Sequence, residues 1–382
     1  MPESAKYEID HQRYARHLSL PGFGLAEQHK LEEAKVLVIG AGGLGSGSLP
    51  YLVAAGVGRV GVVEFDTVDR SNLQRQILYN DTDVGQSKLN ATLRYLQALN
   101  PAVHVVPHET QLSFENAREI IAEYDLVLDG SDNFGTRYLV NDTCVALGKP
   151  LVYASVFQYE GQLSVFNHTR DGQSAVNLRD LFPHPPPAES VPNCSEGGVL
   201  GMLPGLLGAW QAAEAVKLVT GIGLPLSGKI LLIDLHAGGV RTLKLSANPD
   251  NPLRQTPLPD LTADYQLTNC ETNTETMGIP EIDVKTLKQW REEGKDHVLI
   301  DVREPDELQI CTLGGELMPL GTVAERVDDI PKDKPVVMQC RSGGRSGQAT
   351  AMLQQMGYEN VYNLKGGILA WADEIDPSMP KY

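Results

Sequence analysis

Apolar positions in this chain fall into short runs separated by longer amphipathic stretches. From about Lys35 to Leu245 the runs VLVIG (36–40), RVGVVEF (59–65), VHVVP (103–107), DLVLDG (125–130), PLVYASV (150–156), QLSVFN (162–167) and KILLIDL (229–235) predict β-strands. Helical patterns, such as 86–99 and 205–219, fall between them. This alternation predicts an α/β domain with a mainly parallel sheet covered by helices. From Asn248 to Gly278 the chain is rich in Pro, Asn, Thr and Asp and has neither strand nor helix periodicity, which predicts a linker. From Ile279 to Tyr382 the alternation resumes on a smaller scale. HVLIDVR (297–303), PVVMQC (335–340) and NVYNLKG (360–366) read as strands, and 283–294 and 346–356 as helices. The organisation is therefore a first domain over 1–247, a linker over 248–278 and a second, smaller α/β domain over 279–382.

Charge narrows the partners. Asp and Glu number 49 against 32 Lys and Arg, a net charge of −17. So acidic a surface predicts no direct nucleic-acid contact and no anionic membrane partner. No run reaches the ~20 apolar residues of a membrane span, and the polar N-terminal stretch has no signal-peptide core. Five scattered cysteines point to a reducing, cytoplasmic setting rather than a disulfide scaffold.

The first candidate site is the glycine turn after VLVIG. Gly40, Gly42 and Gly45 have the G-x-G-x-x-G spacing, and Gly43 lies between them. This spacing lets backbone N–H groups and a helix N-terminus approach phosphate, as in a Rossmann-like nucleotide site. Glu64 follows at the end of the next strand, where an acid can bond a ribose hydroxyl. The motif alone fits a nicotinamide dehydrogenase. Three features favour ATP with Mg²⁺: Asn72, Arg75 and Gln76 on the rim, Lys88 after them, and Asp132 with Asn133 at the carboxyl edge of the sheet. Cations and a hard carboxylate suit a metal–triphosphate, and hydride transfer needs neither.

RYARH (13–17), GAGGLGS (40–46), FDTVDRSNLQRQ (65–76), DGSDN (129–133), EGQLSVF (160–166) and NCSEGGVLG (193–201) resemble the MoeB/ThiF group of ubiquitin-activating-like enzymes over about residues 10–247. The resemblance implies adenylation of the C-terminal glycine of a small ubiquitin-like sulfur carrier ending in Gly-Gly. It gives the ribose to Glu64, the phosphates to Asn72, Arg75 and Lys88, and Mg²⁺ to Asp132. It implies a homodimer in which Arg16 reaches the nucleotide of the other subunit. It places a conjugating or resolving cysteine at Cys194, in a loop following a proline-rich stretch. The group usually carries two Cys-x-x-Cys pairs around a structural zinc. Here the corresponding segments read NLRDLFP (177–183) and NPDNPLRQ (248–255), and no Cys-x-x-Cys occurs anywhere. Tetrahedral structural zinc needs four Cys or His ligands, so no structural zinc is expected and other packing must hold this end of the domain.

The second candidate site is CRSGGRS (340–346), between a strand and a helix. Gly343 and Gly344 let the backbone curl so that N–H groups point inward. Arg341, Arg345 and the helix N-terminus favour a negative charge at the loop centre, making Cys340 a nucleophilic thiolate. Four residues separate Cys340 from Arg345, a tighter ring than a phosphate-binding cysteine loop, and one that suits a single sulfur atom. With LIDVREPDE (299–307) and NLKGGILAW (363–371), the segment resembles single-domain rhodaneses. That resemblance implies a persulfide on Cys340, supplied by a cysteine desulfurase or thiosulfate. Asp301 and Arg303 read as a structural ion pair beneath the loop. Of the other cysteines, Cys144 reads as helix core, Cys270 as linker and Cys311 is left unassigned.

Together the two domains predict an ATP-dependent adenylyltransferase and sulfurtransferase. The carrier carboxylate attacks the α-phosphate of ATP, the Cys340 persulfide displaces AMP, and Cys194 resolves the acyl disulfide to a carrier thiocarboxylate. A binding protein with a dead rhodanese scaffold is the alternative from another class, and the intact Cys340 loop speaks against it.

Overall fold

The computed structural model describes residues 9–169, 175–186, 198–257, 259–265 and 279–382. The chain separates into two units, Met1–Asn269 and Cys270–Tyr382. Among the described residues no helix is long and apolar enough to cross a membrane.

The first unit is built on an eight-stranded sheet: β1 (Lys35–Ile39), β2 (Arg59–Val63), β3 (His104–His108), β4 (Leu126–Asp129), β5 (Leu151–Phe157), β6 (Glu160–Phe166), β7 (Lys229–Asp234) and β8 (Gly239–Lys244). Their spatial order is β3-β2-β1-β4-β5-β6-β7-β8. The pairings from β3 through β5 are parallel, and those from β5 through β8 are antiparallel. Burial on both faces explains the unbroken apolar runs. In β1, Val36 and Val38 enter one core while Leu37 and Ile39 enter the core on the opposite face. Strand order reverses at β1, with β2 on one side and β4 on the other, which opens a crevice at their carboxyl ends.

Residues 248–265, read above as the start of a linker, belong to this unit. Asn177 begins a short helix (Leu178–Leu181), and its side chain accepts from the Arg179 N–H. Asn251, fully buried, donates to Asn177 Oδ1 at 3.3 Å. Asp180 accepts from the Asn248 N–H at 2.9 Å and pairs with Arg254 at 2.9 and 2.8 Å. Burial, the largest single influence, works against the Asp180 charge, but Arg254, the Asn248 and Asn177 N–H groups and Asn251 together hold the carboxyl below its usual range. Beside it, the fully buried Arg179 grips Asp142 through three hydrogen bonds of 2.6 to 3.0 Å, and reaches Asp264 and the Pro183 carbonyl at 2.7 Å each. Tyr265 closes the network by donating to Asp142 at 2.8 Å. Ion pairs and amide bonds thus hold the region where the resemblance expects a cysteine cage.

The second unit is a five-stranded, all-parallel sheet of order β11-β10-β12-β13-β9. Its strands are β9 (Glu281–Ile282), β10 (Val298–Asp301), β11 (Glu316–Leu317), β12 (Val336–Gln339) and β13 (Val361–Leu364). Cys144 is buried in the helix Phe134–Leu147, where burial pushes its thiol up. Cys311 is buried in the second unit. Cys270 lies outside the described residues.

Candidate active sites

The first site is a cleft of about 1060 Å³, open to solvent, at the carboxyl ends of β1, β2 and β4. Gly40, Gly42, Gly43, Glu64, Arg75, Lys88, Asp132 and Asn133 all line it. After β1 the chain turns at Gly40 (φ +86°) into the helix Gly43–Ala54. A side chain at Gly45 would meet the Gly40 carbonyl at 2.2 Å, so the turn can close only on glycine there. Glu64 is buried and accepts from the Ala41, Phe65 and Asp66 N–H groups at 2.8 to 3.0 Å. Its carboxylate therefore ties the glycine turn to the end of β2, and of its ~4 acceptor positions about one remains for a ligand hydroxyl.

Three cations face the cleft. Lys88 opens the helix Lys88–Leu99 and pairs with Asp66 at 2.9 Å. Arg75 is steadied by the Ser71 carbonyl at 3.0 Å. Sequence reading missed the third, Arg137, which bonds Ser155 Oγ and the Ser131 carbonyl at 3.0 Å each. Behind it Asp129 is fully buried, and burial raises its carboxyl despite the nearby Arg137. Asn133 caps the helix Phe134–Leu147 through the Thr136 N–H. Asn72 does not line the cleft; its Oδ1 accepts from the Asp69 N–H in a 3-10 turn. Arg16 is exposed on the short helix Ala15–Leu18, away from this chain's own cleft. Cys194 lies outside the described residues.

The second site is the loop after β12. Cys340 is 1% exposed, and its Sγ accepts from the Gly343 N–H at 3.1 Å and contacts Ser346 Oγ at 3.3 Å. Gly343 (φ +100°) caps the helix Gly344–Gln355 and turns its N–H toward the sulfur. The paired glycines of NLKGGILAW brace the loop from behind. A side chain at Gly367 would stand 2.4 Å from the Cys340 carbonyl, which accepts from the Ile368 N–H.

Both loop arginines are engaged by groups distant in the chain. Arg345 makes two 2.7 Å bonds to Glu307, a bidentate pair, and also lies within electrostatic reach of Cys340. Burial is the largest single influence and would raise the Glu307 carboxyl, but Arg345, the Glu304 N–H and the Tyr382 hydroxyl together hold it below its usual range. The Arg341 Nε donates to the Tyr382 carbonyl, and its guanidinium lies over the Tyr382 ring. The Tyr382 hydroxyl accepts from Arg303 at 2.5 Å and donates to Glu307 at 3.0 Å. Burial, ahead of its polar contacts, pushes that phenol up to about 12. Asp301 and Arg303, both fully buried, form a bidentate pair beneath the loop with no contact to Sγ. A backbone N–H and a hydroxyl thus contact the sulfur directly.

Comparison with known proteins places both units. Residues 14–253 match the ThiF family, and residues 283–374 match the Rhodanese-like domain. The probable adenylyltransferase/sulfurtransferase MoeZ of Mycobacterium tuberculosis is 41% identical over 384 residues, covering 100% of this chain and 97% of the relative. The adenylyltransferase and sulfurtransferase MOCS3 of Xenopus laevis is 38% identical over 400 residues, covering 97% and 88%. The sulfur carrier protein adenylyltransferase of Thermus thermophilus is 52% identical over 249 residues, covering 65% of this chain and 91% of that one. Among solved structures, E. coli MccB shares the fold at 19% identity with a TM-score of 0.57, over 66% of this chain and 74% of that one. The chain therefore belongs to the ThiF family, in the form followed by a rhodanese-like domain, and is an adenylyltransferase and sulfurtransferase.

Proposed function

We propose that the cleft binds ATP and activates the C-terminal glycine of a small ubiquitin-like sulfur carrier ending in Gly-Gly, and that Cys340 supplies the sulfur. The observation that carries this reading is the convergence on one sheet edge of the glycine turn, Arg75, Lys88, Arg137 and Asp132. Backbone N–H groups at the start of the helix Gly43–Ala54 face the phosphates, and Glu64 offers its remaining acceptor position to the ribose. Arg75 and Lys88 neutralise charge that builds on the departing pyrophosphate.

Asp132, which lines the cleft just past the carboxyl end of β4, is the carboxylate assigned to Mg²⁺. Mg²⁺ needs only one or two carboxylates besides the substrate phosphates. When bound, Mg²⁺ would offset triphosphate charge.

The reaction runs in three displacements. A carrier carboxylate oxygen attacks the α-phosphorus and pyrophosphate leaves. The outer sulfur of the Cys340 persulfide attacks the acyl carbon and AMP leaves. A second thiol, assigned to Cys194, attacks Cys340 Sγ of the resulting acyl disulfide, frees the thiocarboxylate and leaves a Cys194–Cys340 disulfide, which an external dithiol reduces to two thiols. A cysteine desulfurase or thiosulfate reloads Cys340. The enzyme acts as a homodimer in which Arg16 completes the neighbouring subunit's nucleotide site. Separate assays of the two halves test the scheme. Cys340→Ala should keep carrier-dependent pyrophosphate exchange and lose sulfur transfer from thiosulfate. Cys194→Ala should keep both exchange and the persulfide, yet slow thiocarboxylate release unless a reductant is added. Native sulfur transfer by Cys340→Ala refutes the assignment.

A further inference from the structure

The Cys340 sulfur stands at one end of a buried chain of side-chain hydrogen bonds that the scheme above leaves unused. Ser346 Oγ lies 3.3 Å from Cys340 Sγ, 2.7 Å from Asn363 Oδ1 and 3.2 Å from the Gly343 carbonyl. Asn363 Nδ2 in turn donates to Glu281 Oε1 at 2.9 Å. Ser346 and Asn363 are fully buried. The fold sets this arrangement: β13 pairs with β9 so that Asn363 stands opposite Glu281, and Ser346 sits in the first turn of the helix after the loop.

A hydroxyl has one hydrogen to give, and here three acceptors compete for it. The Gly343 carbonyl already accepts from the Gly347 N–H at 2.9 Å. Glu281 fixes the Asn363 amide, because a carboxylate takes the NH₂ end and leaves Oδ1 facing Ser346. While Cys340 is a neutral thiol, its S–H can donate to Ser346 Oγ, and the hydroxyl hydrogen goes to Asn363. Once Sγ is an anion it becomes the stronger acceptor. The hydrogen then reaches it by rotation about the C–O bond alone.

We propose that Ser346 is a catalytic residue of sulfur transfer, its hydroxyl alternating between Asn363 Oδ1 and Cys340 Sγ as charge leaves and returns to that sulfur. Asn363 and Glu281 are its positioning residues. The proposal rests on the reading of Cys340 as the sulfur-bearing thiolate. With thiosulfate as donor, the Cys340 thiolate attacks the sulfane sulfur. The new S–S bond forms as the old one breaks, its electron pair leaves with sulfite, and the negative charge passes to the outer sulfur. With cyanide as acceptor, carbon attacks that outer sulfur, thiocyanate departs, and the electron pair returns to Sγ as thiolate. Sγ is the attacking anion in one half and the leaving anion in the other, so one donor serves both.

The test uses the full chain with thiosulfate and cyanide, following persulfide formation and thiocyanate release in single turnovers. Ser346→Ala should slow both halves about 10- to 30-fold, the scale of one hydrogen bond to a charged group. The KM for thiosulfate should not move, and Ser346→Thr should restore most of the rate. If the alanine variant does not fold, Ser346→Thr against Ser346→Val repeats the comparison at nearly constant volume. Native rates for Ser346→Ala, equal rates for the Thr and Val variants, or slowing confined to one half overturns the proposal. Cys340→Ala separates this idea from its premise. If that variant still makes thiocyanate at the native rate, both fall; if it is dead while Ser346→Ala is unimpaired, only the Ser346 role falls.

Discussion

Replacing Asp142 by alanine should destabilise the first unit more than almost any surface change. Asp142 is 6% exposed and takes three hydrogen bonds from the fully buried Arg179 and one from Tyr265. Removing one member of a buried ion pair leaves an uncompensated charge and costs about 3–5 kcal/mol. Asp264 remains on Arg179 at 2.7 Å, which places the cost near the lower end, about 3 kcal/mol. At about 2–4 °C per kcal/mol for a unit of this size, the transition should fall by roughly 6–12 °C. Differential scanning calorimetry of the full chain would read this as a shift of one transition, with the second unit's transition fixed. The triple variant Asp142→Leu, Arg179→Met, Asp264→Asn removes all three charges of the network and should recover most of the loss. A drop below about 1 kcal/mol for Asp142→Ala would show that the network does not carry this end of the fold.

Three further outcomes are expected. Asp132→Ala should abolish carrier-dependent pyrophosphate exchange with an unchanged melting curve; normal exchange would remove the Mg²⁺ assignment. Elemental analysis should find well under one zinc per chain, and a chelator should leave the first unit's transition in place; stoichiometric zinc would contradict the reading of Asn177 and Asp180. The Glu307 carboxyl is held below its usual value in the fold, so its stabilisation is complete above the unfolded Glu pKa of about 4.3 and is lost as pH falls through the lower folded value. Glu307→Gln should therefore melt below the parent protein at neutral pH, and the gap should close only below about pH 4; a gap that does not change with pH would refute the ion-pair account.

The strands that carry the two sites were legible because burial on both faces demands continuous apolar runs, as in VLVIG and PVVMQC. β8 escaped because five of its six residues are exposed, so VRTLK has no apolar face to announce it. Residues 248–265 read as linker because polar bonds, not an apolar stripe, hold them; a buried Asn251 leaves no periodic signal. The glycine turn, Arg75, Lys88 and Asp132 could be placed on one sheet edge from the strand ends alone. Arg137 could not, because its aim depends on Ser155 and Ser131 meeting it across the fold. The Arg345–Glu307 pair was illegible for the same reason. Its partner, Glu307, lies 38 positions away in the chain.

The matching of arginine to carboxylate around Cys340 bears on how a sulfur donor arrives. Arg303 is balanced by Asp301 and Arg345 by Glu307, so two of the three guanidiniums near the loop are neutralised within the unit. The whole chain carries a net charge of −17. A small dianion such as thiosulfate is therefore not drawn in by a field of opposite sign, and its encounter rate should rise, not fall, as added salt screens the protein. A protein donor faces a different requirement: it must hand over its sulfur through fitted surfaces, and long-range attraction does little to select it.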